Sequence, residues 1–185
     1  LALFRIGDEI RPESAALVAE LRAAGKQVVL LSGDAKNVAR RVADVLGIED
    51  VRAGVTPQGK HDCVTALQAA GGVVAMVGDG VNDAPVLAQA QVSVAMGGGA
   101  QLARTQSDFV LLSENLNHLR YGLRRARRTL QVIRQNLWWS FAYNFVALPL
   151  AIAGYVTPWI AGIGMSASSL LVVLNSLRIQ RLEKD

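Results

Sequence analysis

A run of 43 residues without a charged side chain, Gln135–Leu177, constrains this chain more than any other feature of its sequence. As a single helix, the run would be about twice as long as a bilayer requires. Pro158 lies inside it, shortly after Gly154, so a break is expected at that point. The sequence therefore predicts two transmembrane helices, Leu137–Tyr155 and Trp159–Leu177, joined by a very short turn.

Basic residues flank this run on both sides. Between Asn115 and Leu182 there is no acidic residue, and the arginines there are Arg120, Arg124, Arg125, Arg127, Arg128, Arg134, Arg178 and Arg181. A hairpin returns to the side that it left, so the positive-inside rule predicts that both of its ends lie in the cytoplasm. A nucleic-acid-binding patch would explain the arginines but not the uncharged run beside them, so we expect a lipid bilayer and no nucleic acid as a partner.

The residues before the arginines show short apolar runs that alternate with helical patterns. The predicted strands are Leu1–Ile6, Gln27–Leu31, Val73–Val77, Val92–Met96 and Phe109–Leu112. The predicted helices are Pro12–Ala24, Ala35–Leu46, Pro57–Ala70 and Ala84–Ala90. This alternation predicts an α/β domain with a mainly parallel sheet, in which ligands bind at the carboxyl ends of the strands.

A loop after one predicted strand, Met76–Pro85, concentrates residues suited to phosphate chemistry. Its Asp79 and Asp83 offer the hard oxygen ligands that Mg²⁺ prefers. Ser32-Gly33-Asp34 follows another strand, and Lys60 lies at a helix start, from which it could reach the same site. Phosphoryl transfer needs charge neutralisation by a metal, by a cation and by hydrogen-bond donors, and these side chains could supply all three. Taken singly, each group is also ordinary turn chemistry.

The segment Gly78-Asp79-Gly80-Val81-Asn82-Asp83-Ala84-Pro85 resembles the hinge motif of P-type ATPases, which belong to the haloacid-dehalogenase-like superfamily. Three further segments resemble family motifs in the same order. Asp8-Glu9-Ile10-Arg11-Pro12 is similar to D-x-x-R-P, Ser32-Gly33-Asp34 to T-G-D with Ser for Thr, and Thr56-Pro57-Gln58-Gly59-Lys60 to P-x-x-K.

The resemblance implies an incomplete haloacid-dehalogenase-like (Rossmann-like) phosphorylation domain that uses ATP and Mg²⁺. It implies catalytic roles for Ser32, Gly33, Asp34, Lys60, Asp79, Asn82 and Asp83. Within that set, Asp79 and Asp83 would bind Mg²⁺.

Polar residues in the predicted spans narrow the resemblance. Tyr143-Asn144, Met165–Ser169 and Asn175–Arg178 resemble segments of the last two helices of copper-exporting heavy-metal ATPases. The resemblance implies that Tyr143, Asn144, Met165 and Ser169 bind the transported Cu(I). Met165 and Ser169 share a helix face, and a thioether favours Cu(I). From the residues alone, helix packing and core filling explain the same side chains.

Met96–Gly99 and Asn136–Pro149 resemble the subgroup linked to copper supply for respiratory oxidases, although Ala100-Gln101 replaces the Thr-Asp of many relatives. The sequence contains no Asp-Lys-Thr-Gly-Thr, Thr-Gly-Glu or Cys-Pro-Cys motif, and it starts at Leu1 without a methionine. We therefore expect the C-terminal part of an ATPase that exports a monovalent soft metal ion, Cu(I), through an aspartyl-phosphate intermediate. Alone it would be inactive, and its partners would be the N-terminal remainder of the same ATPase and copper donor and acceptor proteins.

The predicted organisation has four parts. Residues 1–114 form part of the phosphorylation domain, 115–136 a basic juxtamembrane linker helix, 137–178 the two transmembrane helices and 179–185 a cytoplasmic tail. The parent would be a multi-pass protein of the cell (inner or plasma) membrane. Two alternatives stay open: a membrane-tethered haloacid-dehalogenase-like phosphatase and an inactive regulatory fragment. A phosphatase would usually carry Asp-x-Asp after an early strand, and Asp8-Glu9-Ile10 lacks the second aspartate.

Overall fold

A computed structural model describes residues 9–78, 83–98, 101–113 and 115–179 of the chain. In chain order, its elements are α1 (Ser14–Ala23), β1 (Val29–Leu31), α2 (Lys36–Leu46), β2 (Asp50–Arg52), α3 (Pro57–Ala69), β3 (Ala75–Gly78), α4 (Ala84–Gln89), β4 (Val92–Met96), α5 (Gln101–Thr105), β5 (Phe109–Leu111), α6 (Leu116–Ile152) and α7 (Pro158–Leu177). The chain divides into two compact units, residues 1–120 and residues 121–185.

The first unit is an α/β domain whose described strands all pair in parallel. β1 pairs with β2, and Leu30 lies opposite Val51. A second sheet has the order β3-β4-β5, with Val77 opposite Val94 and Val94 opposite Phe109. A helix lies between successive strands of each sheet, as parallel connections require. The predicted fold class, a parallel-sheet α/β domain, is confirmed.

Two apolar clusters hold the helices against these sheets. Val18 of α1 and Ala43 of α2 are buried with Ile48, and Leu30 of β1 packs against them. In the second cluster, buried residues of α4 and β4 pack with Met76 of β3; the buried members are Ala84, Leu87 and Ala95. Each cluster therefore joins a helix to the sheet beside it, which fixes the position of the loops at the strand ends.

Local chemistry sets several helix ends where the sequence predicts them. Thr56 caps α3, because its Oγ1 accepts a hydrogen bond from the backbone N–H of Gly59 at 3.1 Å, and Pro57 occupies the first turn. Gly47 ends α2 with φ +71°, a left-handed conformation that glycine adopts without steric cost. These two signals, a Thr-Pro start and a glycine stop, bound the predicted helices to within a residue.

The structure adds two elements that the sequence pattern does not predict. The short strand β2 includes Asp50 and Arg52, which break an apolar strand pattern, and the one-turn helix α5 begins at Gln101. The strand predicted at Leu1–Ile6 lies outside the described residues.

Asp108 fastens β5 to β4 through Ser93, a nearly buried polar residue with 3% of its surface exposed. Asp108 Oδ2 accepts hydrogen bonds from the backbone N–H and from the Oγ of Ser93, both at 2.8 Å. The hydrogen bond from the Ser93 hydroxyl is the main reason why the pKa of Asp108 lies below its ordinary value. The charged carboxylate is therefore the form that holds the two strands together.

This contact predicts an acid-sensitive contribution to stability. Because folding lowers the pKa of Asp108, the stabilisation from this contact is fully present above the ordinary aspartate pKa. It is lost as the pH falls through the pKa of Asp108 in the folded protein. Asp108→Asn should therefore flatten the decline in thermal stability between about pH 5 and about pH 2. Thermal unfolding of both proteins across this range checks the prediction, and identical pH profiles would contradict it.

The second unit is a pair of antiparallel helices. Asn136 Nδ2 of α6 donates to Ser176 Oγ of α7 at 2.9 Å, and Trp139 Nε1 donates to Ser168 Oγ at 3.1 Å. A residue later in α6 therefore contacts a residue earlier in α7, so the two helices form an antiparallel hairpin. Asn175 Nδ2 adds a hydrogen bond to Asn136 Oδ1 at 2.9 Å. Amide and hydroxyl groups therefore fix the register of the two helices at one end.

Among the described helices, α7 (Pro158–Leu177) is the one long and apolar enough by itself to cross a membrane. The span predicted at Trp159–Leu177 thus begins one residue earlier, because Pro158 takes the first helical position and Thr157 caps it. The span predicted at Leu137–Tyr155 is the last part of the 37-residue helix α6, which ends at Ile152. The chain turns there through Gly154, whose φ is +80°.

Candidate functional site

Lys60 and Asp83, two of the predicted site residues, form an ion pair. Lys60 lies in the first turns of α3, and Asp83 directly precedes α4. The Nζ of Lys60 donates to Asp83 Oδ1 at 2.6 Å, and the two side chains keep only 15% and 13% of their surface exposed. Because little water reaches either charge, removing one partner would leave the other poorly solvated, which costs several kcal/mol, roughly 3–5.

The Asp83 carboxylate lies against the backbone at the end of β3. A Cβ atom placed on Gly78 would lie 3.1 Å from Asp83 Cβ and 3.2 Å from Asp83 Oδ2. Glycine at this position therefore lets the carboxylate approach the carboxyl end of the strand. Oδ2 accepts no hydrogen bond from the described residues, so one carboxylate oxygen is available as a ligand. A hard anionic oxygen beside a lysine is a donor set that fits Mg²⁺ with a bound phosphate.

The Ser32-Gly33-Asp34 loop follows β1 and is held by the loop that follows β2. The backbone N–H of Val55 donates to the carbonyl of Ser32 at 3.0 Å, and that of Gly54 donates to the carbonyl of Asp34 at 2.8 Å. Within the loop, the Ser32 Oγ donates to Asp34 Oδ2 at 2.8 Å and accepts from the Asp34 N–H at 3.1 Å. Asp34 is thus the hydrogen-bond partner that orients the hydroxyl of Ser32, a predicted site residue.

Val55 and Gly59 connect this loop to the ion pair. A Cβ atom on Gly59 would lie 2.8 Å from Val55 Cγ1, so only glycine allows the first turn of α3 to pack so closely on Val55. Lys60 is the next residue, and its backbone N–H donates to the carbonyl of Thr56 at 2.9 Å. A continuous set of contacts therefore runs from Ser32 through Val55 and the start of α3 to Asp83.

Sequence reasoning did not single out Val55 or Gly59. The available signal was a glycine in the first turn of a predicted helix, where a better helix former would be expected without a packing constraint. Two other predicted site residues, Asp79 and Asn82, lie outside the described residues. Within the ranges that are described, no group of three or more histidine, cysteine, aspartate or glutamate side chains is arranged to hold a metal ion.

The four residues predicted to bind copper occupy different positions on the hairpin. The hydroxyl of Tyr143 points at α7, where a Cβ on Gly164 would lie only 2.7 Å from it. Met165, the next residue of α7, is 64% exposed. Asn144 and Ser169 are also exposed. The structure therefore brings Tyr143 to the residue beside Met165 and leaves the other three side chains on the outer surface of the hairpin.

Comparison with known proteins extends the similarity to the whole chain. The family model of haloacid dehalogenase-like hydrolases matches residues 1–91. A copper-exporting P-type ATPase of Bacillus subtilis is 39% identical over 181 residues, which cover 98% of this chain and 23% of the relative. The cation-transporting P-type ATPase B of Mycobacterium tuberculosis is 42% identical over 179 residues, which cover 97% of this chain and 24% of the relative.

A solved structure shares the fold of both units. The crystal structure of a zinc-transporting PIB-type ATPase in its E2.Pi state matches 93% of this chain with a TM-score of 0.85 and 34% sequence identity, and the match covers 28% of that protein. The chain spans about a quarter of the length of the curated relatives that it matches. Similarity to those proteins therefore concerns one segment of a longer architecture.

Proposed function

We propose that this chain supplies the Mg²⁺-binding hinge and the last two membrane helices of an ATP-driven metal exporter. The chain belongs to the heavy-metal P-type ATPases and spans about a quarter of their length. The exported ion is Cu(I), and the pump works through an aspartyl-phosphate intermediate. The observation that carries the proposal is the Lys60–Asp83 ion pair at the carboxyl end of β3, with Gly78 beneath it.

The residues divide the work of phosphoryl transfer among charge, hydrogen bonding and position. The Lys60 ammonium neutralises charge that develops on the transferred phosphoryl group. When the phosphoryl group binds, the Ser32 hydroxyl turns its single proton from Asp34 Oδ2 to a phosphoryl oxygen, while the backbone N–H of Asp34 keeps the Ser32 Oγ in place. Asp83 and Asp79 would hold Mg²⁺, which would supply further charge neutralisation at the phosphoryl group. The nucleophilic aspartate comes from the N-terminal remainder of the same ATPase, because this sequence contains no Asp-Lys-Thr-Gly-Thr.

Continuity of α6 supports the coupling of this site to the membrane. The helix begins at Leu116, directly after the α/β domain, and runs without interruption to Ile152 in the uncharged part of the chain. Arg120, in its second turn, donates through Nε to Glu20 Oε2 of α1 at 3.1 Å, and both side chains are largely buried. A movement of the α/β domain would therefore pull on the first turns of a stiff element.

The similar proteins include a copper exporter and a zinc transporter. Met165 favours copper here, because a thioether is a soft ligand that selects Cu(I) over Zn²⁺. Its exposed position on α7 leaves it accessible to ligands on other membrane helices of the parent. The bilayer surrounds the hairpin, both ends face the cytoplasm, and copper donor and acceptor proteins deliver and remove the ion.

Metal-dependent ATP hydrolysis by the full-length parent tests the metal assignment. Cu(I) should stimulate turnover, and Met165→Ala should lower the stimulated rate by about tenfold, corresponding to the loss of one soft ligand. Ile163→Ala, which removes an exposed apolar side chain two residues away, is the matched control and should keep the wild-type response. Stimulation by Zn²⁺ or K⁺ but never by Cu(I) would show that the metal assignment is wrong.

A further inference from the structure

The arginines of α6 have no role in the proposed phosphoryl transfer or in the metal path. Arg127, Arg134 and Trp138 follow one another at intervals of seven and four residues, which places them on one face of the helix. From Asn115 to Leu182 the sequence contains eight arginines, no lysine and no acidic residue. An anion that pairs with this face must therefore come from outside this stretch of the chain.

Contacts with other described residues occupy some of these arginines but not all of them. The guanidinium of Arg125 donates to the hydroxyl of Tyr121 at 2.8 Å, and its carbon lies 5.9 Å from the centre of that ring. Arg127 and Arg134 are exposed, and in the part of the chain that the structure describes they make no ion pair or hydrogen bond. The Nε atom of Arg128 is buried and also lacks a partner among those residues.

The hairpin gathers positive charge at one end. Because Asn136 contacts both Asn175 and Ser176, Arg134 of α6 and Arg178 after α7 lie at the same end of the two helices. Arg178 donates to Asn175 Oδ1 at 3.2 Å and belongs to this polar cluster. The other end, from Ile152 to Pro158, carries no charged residue. The hairpin is therefore strongly asymmetric in charge.

Aromatic and apolar side chains begin directly where the arginines stop. Trp138 is 72% exposed, and Phe141 and Phe145 are exposed beyond it. Trp138 follows Arg134 by four residues, a rise of about 6 Å, which is close to the thickness of one headgroup layer. Tryptophan is enriched at that level of a membrane. This order along one helix, arginine followed by tryptophan and then phenylalanine, matches the order of phosphate, interface and acyl chain in a lipid leaflet.

We propose that Arg134 and Arg178 at the charged end of the hairpin, together with Arg127 about two turns before Arg134 on the same face of α6, bind the phosphate groups of anionic phospholipids. Arginine suits this role because its planar guanidinium can donate two parallel hydrogen bonds to one phosphate. The adjoining Trp138 and the exposed apolar surface favour a lipid over a free phosphate or a nucleic acid, neither of which has an acyl chain. The inference rests on membrane insertion of the hairpin, which is part of the proposed function.

Quenching of tryptophan fluorescence by brominated lipids tests the proposal on the complete 185-residue chain. Trp159→Phe first removes the tryptophan at the uncharged end, so that only Trp138 and Trp139 report. The protein is reconstituted into phosphatidylcholine vesicles that contain a small fraction of either brominated phosphatidylcholine or brominated phosphatidylglycerol. We expect brominated phosphatidylglycerol to be enriched around the two tryptophans by about fivefold for each arginine that contacts a headgroup, and less at high salt.

Matched variants assign the preference to these arginines. Arg127→Gln combined with Arg134→Gln should bring the two brominated lipids to nearly equal quenching. The control is Arg41→Gln, which removes an exposed arginine from α2 and should retain the preference. Equal quenching by the two brominated lipids in the chain that carries only Trp159→Phe would overturn the proposal. A preference for phosphatidylglycerol that survives the double arginine substitution would also overturn it.

Two further outcomes separate the alternatives. If millimolar inorganic phosphate abolishes the preference, the arginines bind small anions and the lipid assignment is wrong. If brominated phosphatidylcholine itself fails to quench either tryptophan, the hairpin does not enter the bilayer, and the proposed function fails together with this inference. Quenching by both lipids without any preference would contradict the inference alone.

Discussion

Replacing Lys60 by alanine in the full-length ATPase should reduce the formation of aspartyl phosphate by about 100-fold or more, the usual effect of removing one preorganised charge from a transition state. The loss has two parts. In the proposed site, the transferred phosphoryl group loses a cation, and Asp83, only 13% exposed, loses the ammonium that its Oδ1 contacts at 2.6 Å. The variant is assayed by rapid quenching after addition of ATP labelled on the γ-phosphate and by counting the label bound to protein.

Two controls separate chemistry from folding in this experiment. Gln58→Ala alters an exposed residue in the same turn of α3, and it should leave phosphorylation unchanged. The Gln58 side chain donates to Asp62 at 2.9 Å and to no other residue that the structure describes. Lys60→Arg keeps a positive charge near Asp83, so its thermal stability should stay close to that of the parent while phosphorylation falls, because the longer planar group cannot reproduce the position of the ammonium. Normal phosphorylation in a folded Lys60→Ala protein would remove Lys60 from the proposed site.

Gly97→Ala should destabilise the α/β domain by at least about 2–3 kcal/mol, through steric overlap with the backbone. A Cβ atom at this position, directly after β4, would lie 2.5 Å from the carbonyl oxygen of Leu111 and 2.6 Å from that of Leu112. Backbone atoms of a neighbouring strand cannot move aside as a flexible side chain can. The end of β5 would therefore have to shift away from β4.

Urea unfolding of the detergent-solubilised chain, followed by circular dichroism, measures this effect. The matched control is Gly122→Ala in α6, where a Cβ would meet no atom within 4 Å. That substitution should leave stability unchanged or raise it by up to about 1 kcal/mol, because alanine has the higher helix propensity. If the two glycine variants unfold at the same urea concentration, the close approach at Gly97 does not constrain the domain.

The predictable part of the fold follows from strong local signals. Thr56-Pro57 and Gly47 mark helix ends through specific backbone requirements, so the predicted helices agree with α2 and α3 to within a residue. The sequence pattern does not predict β2, because only one of its three residues, Val51, is apolar and its stability comes from pairing with β1. α6 continues for three residues beyond Pro149, although this proline has no N–H to donate to the carbonyl of Phe145. Pairing partners and helix continuity depend on tertiary contacts, which a local pattern does not contain.

The same division applies to the candidate site. The position of Lys60 at a helix start was enough to direct it towards the strand ends, where the structure joins it to Asp83. The packing of Val55 on Gly59 and the approach of Tyr143 to Gly164 depend on the absence of a side chain at each glycine. A missing side chain carries no hydrophobic or charge signal in the sequence, so the neighbour that fills the space is seen only in the folded structure.

Four strands of the α/β domain each have a hydrogen-bonding edge with no partner among the described strands. β1 and β2 pair with each other, and β3 and β5 each pair with β4. Val73 and Val77, beside and within β3, are exposed large apolar residues. A strand edge that stays unpaired is a template on which other chains add strands. When the chain is produced by itself, its aggregation should therefore increase with protein concentration. A short β-strand peptide added in trans should delay this aggregation by pairing with the strand edges.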